Sequence, residues 1–222
     1  MKTINKPISL FILLLLLFSC AHKKKENIIT EEPRVDSNVV ALGKREVFKD
    51  RVTNIREEQQ NISDLLSKTR AQLLSIYGNE TGQFDHQIDE LNNSYETLKA
   101  QHEVAQDHIS KLDNVASETF QKWEEDLKLI SSEQEKRLSQ GQLQTSKKDY
   151  QLLQRNLNRT QWEMSSILFK LGQQVNVFKR KRDKESIKAM KNSGGKIQSD
   201  MNDTIDNTSE SIHEADRLIK TL

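Results

Sequence analysis

One thiol occurs in the 222 residues, at Cys20, and its surroundings define the chemistry open to it. Lys2 and Lys6 precede an apolar run from Ile8 to Phe18, and Ser19 is a small residue directly before the thiol. A positive start, a short apolar run and a small residue before a cut are the parts of a secretory signal. The run is too short for a confident membrane-spanning helix, and Lys23-Lys24-Lys25 follow it closely. Cleavage ahead of Cys20 would make it the first residue, and its thiol is a nucleophile open to acylation. The second chemistry on offer is electrostatic. Lys179, Arg180, Lys181, Arg182 and Lys184 open a stretch to Lys196 with eight Lys/Arg and two acids. Such a run can meet phosphate or carboxylate on a lipid headgroup, a polysaccharide or nucleic acid.

The ending Leu17-Phe18-Ser19-Cys20 resembles the lipobox of bacterial lipoproteins, in which the cysteine becomes the acylated first residue. Three segments follow: residues 1–19 as signal peptide, 20–42 as lipidated cysteine and polar tether, and 43–222 as the folded domain. Ala21 stands where an aspartate is associated with inner-membrane retention, so the expected address is the outer membrane, facing the periplasm. Once Cys20 is acylated no thiol remains for a disulfide or a thiolate metal site.

Other constellations are thin. Glu210-Ser211-Ile212-His213 is one Glu-x-x-His, where a di-iron bundle needs two such sites and two further carboxylates. Moreover Ile212, not the polar pair, fits the apolar seam. His102 falls on a seam as a core histidine, while His86 and His108 read as solvated. Gly194-Gly195-Lys196 lacks the glycine spacing and following Ser/Thr of a phosphate loop. No catalytic residue, metal or cofactor is therefore expected, and the chain reads as a non-enzyme. Removing residues 1–19 leaves 32 Lys/Arg against 33 Asp/Glu, so whole-chain attraction to nucleic acid is not expected either.

These residues need elements to position them, and the composition suggests which. Hydrophobics at 34% and aromatics at 5% are low for a broad core, while 30% of residues are charged. Periodic apolar residues reconcile the two as long helices with narrow seams. Phe48, Val52, Ile55, Gln59, Ile62, Leu66, Thr69, Leu73 and Ile76 alternate steps of four and three, predicting a first helix from about Gly43 to Tyr77. A turn at Gly78–Gly82 leads to a second seam from Phe84 to Ile130, with a stutter after Leu112. Ser131-Ser132 with Glu135 forms a capping box for the third helix, favoured over a turn at Gly141. That helix carries Tyr150, Leu153, Leu157, Met164, Ile167, Leu171 and Phe178, and Asn192–Gly195 is expected to end it. A fourth seam runs Ile197, Met201, Ile205, Ile212, Ala215, Ile219 and Leu222.

The expected fold is all-α: an elongated antiparallel bundle, four helices at the base with a two-helix hairpin near residues 117–147 projecting as a contact surface. A turn about Gly194 would set Lys188 against Asp200, Arg182 against Asp206 and Lys179 near Glu210. Interhelical charge pairing then accounts for the basic stretch better than ligand binding does. Trp123 fits the seam, while Trp162 is a candidate partner anchor.

Gly43-Lys44-Arg45-Glu46, Asp50-Arg51-Val52, Leu91 with Tyr95, Val115-Ala116 and Phe120-Gln121-Lys122-Trp123 with Leu127 resemble the bacterial domain of unknown function 2959. So does the spacing from Trp123 to Tyr150. The similarity covers about residues 43–222, and Phe-x-x-Trp is its most specific stretch. It implies a helical, coiled-coil, secreted or lipid-anchored protein and no reaction. Where the family carries a Lys-His-Asn-Leu-Asn-Ala-like run, this chain has Lys179–Lys184, so no role of that run carries over. The expected role is a scaffold, spacer or interaction module held to a membrane by its lipid and facing an envelope protein partner. The alternative is anionic lipid or polysaccharide binding through residues 179–191. Narrow seams can also pair between chains, giving a homo-oligomer.

Overall fold

The computed structural model describes residues 37–222, with side chains from Gly43 onward. The signal, Cys20 and the expected tether as far as residue 36 lie outside the described residues, while residues 37–42, expected as tether, belong to α1. Five helices account for the described chain: α1 (Ser37–Gly78), α2 (Asp85–Leu127), α3 (Glu133–Arg180), α4 (Lys184–Ala189) and α5 (Lys191–Thr221). The class is all-α. Helix α1 packs on α2 and α5, and α3 packs on the same two neighbours, closing a four-membered ring.

The first seam is buried at all nine expected positions, Gln59 and Thr69 included. Each long helix contributes to two apolar clusters. One holds Phe48, Val52, Ile55, Trp123, Tyr150 and Leu157; the other holds Ile62, Leu66, Leu98, Met164, Leu171 and Phe178. Between them the chain order places Gln59 in α1, Thr160 and Gln161 in α3, and Thr204, Thr208 and Ser211 in α5, all buried. Thr160, Thr208 and Ser211 return their hydroxyls to the carbonyl four residues earlier, which satisfies half of this layer, while the side chains of Gln59, Gln161 and Thr204 find no hydrogen-bond partner among the described residues. Slipping a helix by one heptad would set the layer against apolar side chains, which penalises misregister.

Helix boundaries follow local chemistry. Ser132 caps α3 in extended backbone, its Oγ accepting from the Glu135 N–H at 3.4 Å; Gly141 lies inside the helix. In the α1–α2 turn Gly82 takes φ 78°, a left-handed conformation that suits glycine, and Asn79 Oδ1 accepts from the Thr81 N–H at 2.8 Å.

Three expectations need correction. First, α3 stops at Arg180 and the chain turns at residues 181–190, not at Asn192–Gly195. Asp183, in extended backbone, caps α4 by accepting from the Ser186 N–H at 2.8 Å, whereas Gly194 lies buried inside α5. Second, the α5 seam is Gly194, Ile197, Met201, Thr204, Thr208, Ser211, Ala215 and Leu218; Ile205, Ile212 and Ile219 flank it, half-buried. Third, the two-helix overhang is shorter than residues 117–147. Lys44 of α1 pairs with Glu118 at 3.1 Å, the Arg45 guanidinium lies 4.4 Å from the Trp123 ring centre, and Ser146 Oγ donates to the Thr221 carbonyl at 3.0 Å. Helix α1 then continues to Ser37, because nothing in residues 37–42 opposes helix.

Candidate functional site

The turn between α3 and α5 places the basic stretch beside the α1–α2 turn. Arg182 forms an ion pair with Asp85, Lys184 pairs with Glu80, and Lys188 stands 4.0 Å from the same Glu80. The Asp85 hydrogen bond raises the Arg182 pKa above its ordinary value, and the Lys184 hydrogen bond lowers that of Glu80. Asp183 is also lowered, chiefly by the N–H of Ser186 that it caps.

None of the three charge pairs expected across α3 and α5 forms. The observed partners are Lys170 with Asp200 at 2.7 Å and Arg159 with Glu210 at 2.6 Å. Their register centres near residue 185 rather than Gly194. The basic stretch is therefore not explained by pairing with α5: its ion-paired members meet Asp85 and Glu80 at the α1–α2 turn, and the α3–α5 pairs draw on Lys170 and Arg159 upstream of it. Each such exposed pair is worth under about 1 kcal/mol, so packing and caps decide the register.

Five cations nominated from sequence therefore separate. Arg182 and Lys184 are engaged by acids; Lys179 and Lys181 are exposed near the end of α3. Arg180 is exposed too, its Nε donating to the Asn176 carbonyl at 3.2 Å. It lines a groove of about 710 Å³ between the end of α3 and the start of α5. Lys170 and Lys196 border the same groove, and Val177, Met190 and Ile197 supply its apolar wall. Asp200 is its one acid, engaged by Lys170. Arg180 and Lys196 have no carboxylate partner among the described residues. Sequence reasoning missed Lys170; it and Lys196, the far end of the basic stretch, join Arg180 only through the α3–α5 register.

The histidines singled out from the sequence do not line this groove. His102 is buried, its Nε2 3.0 Å from Ser165 Oγ, and burial lowers its pKa. His108 is not merely solvated, since it meets Glu58 of α1; His86 stands exposed, 3.5 Å from Glu90. Among the described residues no three His, Cys, Asp or Glu side chains gather in metal-holding geometry, and no helix is long and apolar enough to cross a membrane.

Trp123 is buried, donates from Nε1 to Ser139 Oγ at 2.9 Å, and carries Arg45 on its face. Phe120 meets Phe48 and Tyr150 edge-on at 5.5 and 5.8 Å. The Phe-x-x-Trp stretch is thus a packing junction of α1, α2 and α3. Residues 36–222 match the family model described as Protein of unknown function (DUF2959). The chain belongs to the DUF2959 family. No curated protein and no solved structure matches it. In this DUF2959 chain Phe120 and Trp123, from the most specific stretch of the family resemblance, fix helices to one another, with Lys44 and Arg45 of α1. The exposed aromatic residues lie elsewhere: Trp162 and Phe169, 74% and 68% accessible, stand one heptad apart on α3.

Proposed function

We propose that this chain is a non-catalytic spacer or scaffold of a bacterial envelope, acylated at Cys20 and presenting a rigid helical surface to a protein partner. The observation that carries the reading is continuous packing along the bundle, from the Phe48–Phe120–Tyr150 junction to Tyr77 and Phe178 at the opposite end. Helix α3 alone, at 48 residues, spans about 72 Å. A rod so built transmits position, and Trp162 with Phe169 offers a partner two large apolar side chains without unfolding anything. Ala21 favours the outer membrane, facing the periplasm, and the exposed α3 face is where a second copy would also pair.

The lipid anchor is the testable foundation. In fractionated cells Cys20→Ser is expected to move the protein from the membrane pellet to the soluble fraction. Unchanged retention of the variant would count against acylation.

A second reading is favoured by the groove: Arg180 and Lys196, without carboxylate partners, beside an apolar wall suit an anionic lipid headgroup or an acidic polysaccharide. Lys179, Lys181 and the ion-paired Arg182 and Lys184 would then add only to the surrounding field. On that reading the soluble Cys20→Ser protein binds phosphatidylglycerol vesicles in a salt-sensitive way, and Arg180→Glu with Lys196→Glu abolishes it. Binding that survives the double reversal would remove the groove from consideration.

A further inference from the structure

The path of α1 decides which end of the rod belongs at the membrane. Lys44 pairs with Glu118 and Arg45 covers Trp123, so the start of α1 lies beside the end of α2. From Arg45 the helix continues eight residues back to Ser37, about 12 Å further toward the α2–α3 turn. The chain therefore enters the bundle at the end where α2 and α3 turn. The opposite end holds the α1–α2 turn and the α4 corner, joined by Arg182–Asp85 and Lys184–Glu80.

Chain length makes this consequential. Seventeen residue steps separate Cys20 from Ser37, and a fully extended chain covers at most about 60 Å in that number. Helix α1, at 42 residues, is about 63 Å long. Standing the rod with the α4 corner on the membrane would hold Ser37 about that far above it. The tether would then have to be stretched to its limit. Standing the rod with the α2–α3 turn on the membrane needs almost none of that reach.

The α2–α3 turn has side chains suited to that position. Leu129 and Leu138 are each 65% accessible, Ile130 is half-buried beside them in sequence, and Lys128, Lys136 and Arg137 flank the leucines. Glu133 and Glu135 also lie here, in the first turn of α3, so net charge contributes little and apolar contact is the main attraction. Two exposed leucines on a folded surface would need no explanation by themselves. Their place at the end where the chain enters gives them one.

We propose that the α2–α3 turn is a membrane-contact surface: it rests on the bilayer that holds the Cys20 lipid, with Leu129 and Leu138 seated among the headgroups. This rests on the acylation reading above. The α1–α2 turn and the α4 corner then point away from the membrane, and the α3–α5 groove lies toward that outer end. The projecting contact surface expected near residues 117–147 becomes the foot of the rod.

The test uses the full, acylated chain, in which an introduced cysteine is the sole free thiol. Leu129→Cys and Thr81→Cys, at opposite ends, are each labelled with an environment-sensitive fluorophore. Each protein is then reconstituted into phosphatidylcholine–phosphatidylglycerol vesicles carrying nitroxide lipids. The label at residue 129 should be quenched several-fold more than the label at residue 81, with a blue-shifted emission. Equal quenching at both positions means the rod lies flat, and stronger quenching at residue 81 means it is inverted; either overturns the proposal. Flotation with the vesicles but no quenching at residue 129 overturns the foot while leaving the anchor intact. Failure to float with the vesicles overturns both.

Discussion

Phe48→Ala is expected to destabilise the folded chain by about 3–5 kcal/mol, the usual cost of deleting a fully buried aromatic ring. Phe48 has no exposed surface, and its ring meets Phe120 at 5.5 Å and Tyr150 at 5.6 Å, both edge-on. Those two rings come from α2 and α3, so one side chain of α1 holds three helices together near the chain's point of entry. Collapse around the vacated volume is restricted. Phe120 and Tyr150 already contact each other, and Tyr150 Oη is tied to Asp113. Urea unfolding would read the loss as a lower midpoint with an unchanged slope. Phe48→Leu, which keeps most of the volume, should cost roughly 1.5 kcal/mol or less. An alanine variant that loses under about 1 kcal/mol would show that the junction is not the core drawn here. Loosening α1 there would release the Lys44–Glu118 and Arg45–Trp123 contacts that hold the start of α1 beside the end of α2.

How much of this was legible in the sequence depended on what filled each seam. Helix α1 was legible at every position because its apolar residues alternate in steps of four and three, and Gln59 and Thr69 could be placed by interpolation. Gln59 shows the cost of that regularity, since its amide is buried with no hydrogen-bond partner among the described residues. Helix α5 was misread for the opposite reason. Ile197, Met201 and Ala215 hold the seam as expected, but the other three isoleucines, Ile205, Ile212 and Ile219, sit half-buried at the margin, while Thr204, Thr208 and Ser211 occupy the seam. A hydroxyl that bonds the preceding turn's carbonyl brings little polarity to the interface, but it scores as polar when hydropathy alone is read. The five cations were visible as a run. Their fates were not, because Asp85 and Glu80 come from a turn about 100 residues earlier. The groove needed still more, since Arg180, Lys170 and Lys196 meet only in the observed register.

The glycine pair at Gly194-Gly195 gives the sharpest test of that register, because its two members should respond with opposite sign. A Cβ added at Gly194 would fall 2.1 Å from Tyr77 Oη and 2.3 Å from the ring edge. Tyr77 has little freedom to yield. Its hydroxyl donates to the Met190 carbonyl at 3.2 Å and accepts from Gln174 Nε2 at 2.7 Å, and its ring packs edge-on against Phe178 at 5.9 Å. Gly194→Ala should therefore destabilise by roughly 2 kcal/mol, within the range for overpacking a tight contact, despite the better helix propensity of alanine. Gly195 faces open space inside the same helix. There the propensity gain stands unopposed, and Gly195→Ala should stabilise by about 0.5–1 kcal/mol. A turn at Asn192–Gly195 predicts a different pattern. Glycine in a turn serves a left-handed backbone, so alanine at the turn position would cost stability whatever the space around it. Urea unfolding of the two single variants separates the cases. Opposite signs place Gly194 beneath Tyr77 in a continuous α5, whereas a loss at Gly195 would return the turn to the glycines and remove the register on which the groove depends.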